Sequence, residues 1–173
     1  VVGAGHVEGI KKHLRKKESI TPLDKIPAGS AWTKRIAYAV PLIFLGIICY
    51  GFVHHKSVEL TLSMLAYWFV INGALSALGA LLALAHPITI ISAFVAAPIT
   101  SLNPTIGAGI VAGLVEAKIK EPRVKDFHEL KEITTFGGFY KNRVTRILLV
   151  ASFANLGSAI GTFVALPYLL SLV

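Results

Sequence analysis

The sequence predicts an all-α polytopic membrane protein: three full transmembrane helices plus a broken or re-entrant helical hairpin, preceded by the tail of a soluble α/β domain. Three observations lead there. Between Arg35 and Glu116 the only charged side chains are Lys56 and Glu59, and a charge at the centre of an inserted helix costs roughly 2.5–3.5 kcal/mol. Sixteen of the seventeen Lys and Arg residues fall in two blocks, 11–35 and 118–146. Hydrophobic residues make up 54% of the chain and charged ones 15%, with a mean hydropathy of +0.69, whereas soluble domains carry about 25% charged residues.

Residues 1–18 read as the end of a soluble domain, with a short β-type start at Val1–His6 and a basic helix from Val7 to Lys17. The chain is therefore expected to be the C-terminal piece of a longer polypeptide. Residues 19–35 hold Pro22, Pro27 and Gly29 and read as a basic linker. Trp32, with Lys34 and Arg35 after it, marks a membrane interface at the end of this linker.

The membrane domain is expected over 36–173. Its first span, 36–53, would give a helix of roughly 27 Å, just enough for a hydrocarbon core of about 30 Å. Pro41 predicts a kink near its first turn. After the polar turn His54–Ser57, the second span runs over 60–85 and is long enough to cross with tilt. The last span covers 147–166.

Segment 88–116 is apolar yet interrupted at Pro98 and at Ser101-Leu102-Asn103-Pro104. Its halves, Ile88–Thr100 and Thr105–Val115, give about 20 and 16 Å of helix, each too short to span. Two readings follow: a re-entrant hairpin with its tip at Ser101–Pro104, or one kinked span of roughly 43 Å. The positive-inside rule favours the hairpin, because the block Lys11–Arg35 and the loop 118–146 each hold eight basic residues. Both belong on the cytoplasmic side, and the hairpin keeps them together.

Asn72, Asn103 and Asn155, with Thr100 and Ser101, are polar groups inside apolar runs. They either line a substrate or ion path or serve interhelical hydrogen bonding or capping, worth about 0.6–2 kcal/mol each. Asn103 stands out, since an Asn-Pro break at mid-depth is what broken-helix transport sites use. Small residues, among them Gly73, Gly79, Gly157 and Gly161, allow close helix approach. Ser76–Gly79 and Ser158–Gly161 share a faint similarity. Glu116 reads as an interfacial partner of Lys118 and Lys120. His54 and His55 lack the further ligands of a metal site, and Cys49 reads as an inert packing residue. Val124, Phe127, Leu130 and Ile133, spaced by three, suggest a helix over Pro122–Ile133, either an amphipathic one lying on a membrane surface or a short one packing on the membrane domain. Phe136, Phe139 and Tyr140 extend an interfacial belt.

The head of the chain, Val-Val-Gly-Ala-Gly-His-Val-Glu-Gly-Ile at 1–10, resembles the end of the soluble domain of the TraB/PrgY (pheromone-shutdown) family. Ala97–Gly109, Asn142–Arg146 and Asn155–Thr162 resemble the membrane region of its archaeal-type members. The resemblance implies a soluble domain similar to a metal-dependent peptidase group, in which G-x-x-H motifs supply metal or catalytic histidines. Only His6 matches, so the resemblance implies a catalytic or metal role for it within an incomplete site. A working metal centre needs three or more ligands, and this piece alone is not expected to be catalytic. Any divalent metal would belong to the full-length parent.

The function expected is that of a membrane-embedded C-terminal region anchoring a cytoplasmic TraB-type domain that hydrolyses or sequesters peptides. The alternative is a transporter or channel-like element built on the broken helix at Asn103-Pro104. The expected location is a multi-pass integral membrane one. Partners would be the lipid bilayer with its anionic headgroups, the upstream TraB-type domain and, as an open option, further copies in a homo-oligomer. Nucleic acid is not expected, because the charge lies beside the membrane segments without a recognition motif.

Overall fold

The structure is a computed structural model that describes residues 3–14, 31–103 and 105–173. The chain divides into two units, residues 1–33 and 34–173. In the first, Ala4–His6 forms a single 3-10 turn closed from the His6 N–H to the Gly3 carbonyl (3.0 Å), and α1 (Val7–His13) follows. The β-type start expected over 1–6 is thus helical at residues 4–6. The rest of that expectation, at Val1 and Val2, falls outside the described residues, as do most of the linker and the end of the basic helix.

All the described elements are helical: α2 (Ala31–His55), α3 (Val58–Leu82), α4 (Pro87–Thr100), α5 (Ala108–Lys120), α6 (Val124–His128), α7 (Phe136–Lys141) and α8 (Arg143–Ser171). Among them α2, α3 and α8 are long and apolar enough to cross a bilayer. Polar side chains start α3 and α8. Ser57 Oγ accepts from the Leu60 N–H (3.2 Å), and Asn142 Oδ1 accepts from the N–H groups of Val144 (2.9 Å) and Thr145 (3.2 Å). Lys56, Leu84 and Glu121, with φ of 48°, 56° and 44°, turn the chain at helix ends in the left-handed region, without a glycine.

α3 and α8 run antiparallel with their backbones in contact. Gly79 faces Phe153 and Ala154, Gly157 faces Leu75 and Ser76, and Gly161 faces Asn72. A Cβ at Gly157 would overlap the Leu75 carbonyl oxygen, so the small residues read from the sequence are what permits this approach. α5 packs on the same helix α8, with Gly109 against Ala151. Between them lies a core of Ala80, Ala83, Ala93, Ala112, Val150 and Ala154.

α2 is attached differently. Phe44 lies 4.4 Å, centroid to centroid, from Trp68, within a cluster of Met64, Ala165 and Leu169. Gly51 approaches Met64 and Val173. The opposite face leaves Leu42, Ile43, Leu45, Tyr50, Phe52 and Val53 exposed. Cys49 is exposed there too and does not take the packing role expected of it. α2 continues through Pro41 and α8 through Pro167.

The single helix expected over Pro122–Ile133 is instead the short α6, a 3-10 turn at Glu129–Glu132 and an extended Ile133. Asp126 is occupied as a cap, its Oδ2 accepting from the Arg123 N–H at 2.6 Å. Asn142 Nδ2 holds the Asp126 carbonyl at 2.7 Å, tying this stretch to the start of α8. Val124, Phe127 and Leu130 are exposed.

Gly157→Ala should lower thermal stability in detergent by about 1–3 kcal/mol through backbone overlap. Gly46→Ala, where a Cβ meets nothing within 4 Å, should be neutral or slightly stabilising. Equal melting of the two variants would mean that α3 and α8 are not in backbone contact.

Candidate functional site

The interrupted segment folds back on itself: α4 packs against α5, and both lie against the α3–α8 pair. Its two ends meet at Glu116, whose side chain is fully buried. Oε2 accepts from the Thr89 hydroxyl (2.6 Å) and from the His86 N–H (2.9 Å) at the start of α4. Oε1 is buried, has no hydrogen-bond partner and sits 4.0 Å from Lys120 Nζ. The expected pairing with lysine is thus a distant contact, and two neutral donors from the other arm do the holding. His86 serves as the N-cap of α4, Nδ1 accepting from the Ile88 N–H at 3.3 Å.

Two arginines from the first turn of α8 complete this end. Arg143 donates to the Lys120 (3.1 Å) and Glu121 (3.2 Å) carbonyls that end α5. Arg146 donates to the Leu84 carbonyl just beyond α3. Unpaired carbonyls at helix C-termini carry partial negative charge, so cationic caps are favourable there.

The tip follows the end of α4, with Asn103 and Thr105 exposed. There Asn103 Oδ1 accepts from the Thr105 N–H (2.9 Å) and hydroxyl (2.6 Å). Pro104, the second half of the expected break, lies outside the described residues. The Pro98 carbonyl, near the end of α4, is taken by the Trp68 indole N–H at 3.0 Å. Trp68 stands fourteen residues before the end of α3 at Leu82, so the Pro98 carbonyl lies about 21 Å along that helix. Asn155 Oδ1 accepts from the Gly109 N–H (2.8 Å) in the first turn of α5.

Beside the tip opens a groove of about 640 Å³ lined by Thr100, Ser101, Asn103 and Asn155, together with Gly107, Ser152, Ser158, Thr162 and apolar residues. Four of the five polar residues singled out in the sequence therefore share one groove. The fifth, Asn72, is fully buried behind it, its Oδ1 accepting from the Thr162 hydroxyl at 3.2 Å, while Nδ2 has no partner. Most of the hydroxyls turn inward: Thr100 donates to Ala96 O (2.9 Å) and Ser101 to Pro98 O (3.3 Å), and the one Thr162 hydrogen is shared between Asn72 Oδ1 and Ser158 O (3.1 Å).

A family model described as "TraB family protein, C-terminal domain" matches residues 32–173, the whole of the helical unit that carries the hairpin. The chain belongs to the TraB family. An uncharacterized protein of Methanocaldococcus jannaschii is 38% identical over 178 aligned positions, which cover 96% of this chain and 44% of the relative. The chain thus spans less than half the length of that relative. No solved structure matches.

His6 precedes the TraB C-terminal region, stands exposed at the N-cap of α1, and belongs to no group of three or more potential metal ligands among the described residues. The structure adds Glu116, Thr89, Trp68, Arg143 and Arg146 to the residues that shape the hairpin. A lone carboxyl inside an apolar segment was the available signal for the first of these; nothing in the sequence pointed from it to Thr89.

Glu116→Gln keeps an acceptor oxygen for Thr89 and His86 and should melt close to wild type. Glu116→Leu orphans two buried donors, at about 1–3 kcal/mol each. Thermal unfolding in detergent separates the two, and a leucine variant as stable as the glutamine one would show that the hairpin does not depend on this contact.

Proposed function

We propose that residues 31–173 form a multi-pass membrane domain that mounts the preceding part of the protein on the cytoplasmic face of a bilayer. In this arrangement α2, α3 and α8 cross, and the α4–α5 hairpin enters and leaves from the cytoplasmic side. The observation that carries this reading is the Glu116 contact with His86 and Thr89. It holds both ends of the segment together, while the Pro98 carbonyl, near the end of α4, is bonded to Trp68 on α3. A single kinked span would need its ends on opposite faces.

The reading also orders the charges. A chain that starts inside, crosses twice, re-enters and then crosses once more keeps residues 11–35 and 118–146 on one side, as the positive-inside rule requires. The apolar faces of α2, α3 and α8 left exposed by the fold then meet lipid. Peptide hydrolysis or sequestration, with any divalent metal and the contribution of His6, belongs on this reading to the upstream TraB-type domain.

A second reading rests on the groove at the tip: an intramembrane site for a small polar solute, using Asn103 and Asn155 at the N-terminal end of α5. The inward-turned hydroxyls favour the mount, since they are occupied in holding backbone.

In a Cys49→Ser background, membrane-impermeant thiol reagent applied to sealed vesicles should reach Lys16→Cys and Lys125→Cys from one face and Lys56→Cys from the other. Labelling of positions 16 and 125 from opposite faces would refute the re-entrant arrangement. In proteoliposomes, the mount predicts no solute or ion flux above that of empty vesicles. Flux abolished by Asn155→Leu would transfer the function to the groove.

A further inference from the structure

At the base of the hairpin, where α5 ends and α8 begins, a cavity of about 460 Å³ is lined by Lys120, Arg123, Lys141, Arg143 and Arg146, with Glu121 and Ile119. Five cations facing one carboxylate repel one another unless an anion compensates. Lys120 has only the 4.0 Å contact with the buried Glu116. The other four have no carboxylate within ion-pairing distance among the described residues. Arg143 and Arg146 are held in place by the carbonyls they cap, so their guanidinium groups are fixed before any ligand arrives. Arg146 Nε is buried without a partner.

From these residues we infer that the cavity is a binding site for a phosphate group. Arginine presents a planar fork of donors that matches phosphate oxygens, and two guanidinium groups one helical turn apart, with two lysines and a third arginine around them, provide several such donors. The place favours the headgroup of an anionic phospholipid as the source. The cavity lies at the ends of α3, α5 and α8, where lipid phosphates sit if these helices are embedded as proposed above, and basic pockets between membrane helices hold such headgroups. This inference rests on that membrane reading for the source of the phosphate, and on the side chains alone for the site.

Arg123 and Lys141 make no side-chain hydrogen bond or ion pair among the described residues, so neutralising them spares the helix caps. In neutral detergent, native mass spectrometry of the chain with phosphatidylglycerol, phosphatidylcholine and, separately, inorganic phosphate reads the site directly. Arg123→Gln/Lys141→Gln should weaken phosphatidylglycerol binding about thirtyfold, with phosphatidylcholine little retained by either protein. Lys118→Gln/Lys131→Gln removes the same charge from the same loop away from the cavity and should change little. Equal loss in the two double variants, or no preference for phosphatidylglycerol, would overturn the site. Inorganic phosphate that binds as well as the lipid, and is lost in the same double variant, would keep the phosphate site and assign it to free phosphate. Resistance of the wild-type chain to alkaline extraction from vesicles tests membrane insertion independently. A chain that extracts yet still binds phosphate through these residues would defeat the mount and leave the cavity standing.

Discussion

The fold depends on where a single carboxyl group finds its donors. Glu116 has its hydrogen bonds with Thr89 and the His86 N–H, twenty-seven and thirty residues earlier. In a low-dielectric interior such bonds are directional and strong, and an unpaired polar group there is costly. Once the ends of the segment are tied, its two halves must lie side by side, and helices of fourteen and thirteen residues can reach only part of the way along their longer neighbours. The tip, the groove and the basic cavity all take their positions from that closure. The arginines of α8 then cap the helix ends gathered there, so one end of the bundle is polar and tightly bonded while the other is held mainly by apolar contacts.

The apolar spans were legible because charge is excluded from them. Their limits were less so. Helices α2 and α8 extend beyond the stretches read from the sequence, to His55 and back to Arg143, since a polar residue at an interface does not end a helix. The end of α3 comes earlier than expected, because Leu84 turns the chain with no glycine to mark it. The stretch 122–133 was read as an α-helix from apolar residues spaced by three. Three residues per turn is the 3-10 period, and the chain forms only one short α-helix and a 3-10 turn there.

Polar residues in apolar runs could be picked out one by one, but their partners could not. Asn155 meets Gly109 across forty-six residues, and Trp68 meets Pro98 across thirty. Adjacent lysines offered Glu116 a nearer explanation than the hydroxyl it holds. Asn72, Ser76 and Ser158 all lie buried along the α3–α8 contact, where backbones touch and a hydroxyl can reach the facing chain, as Ser76 does to the Ala154 carbonyl at 3.0 Å. The faint likeness between the segments around Ser76 and Ser158 thus marks two faces of one interface.

The helix that α3 and α5 both lean on is α8, which follows them in the chain. A ribosome delivers α3, α4 and α5 before α8 exists. During that interval the Ser76 hydroxyl and the first turn of α5 lack the Ala154 and Asn155 groups they later bond, and the carbonyls ending α3 and α5 lack their arginines. The hairpin's final packing is therefore a late event in biogenesis. Until α8 arrives, a half-length helical pair with unmatched polar groups has to be sheltered by water, by lipid headgroups or by the insertion machinery.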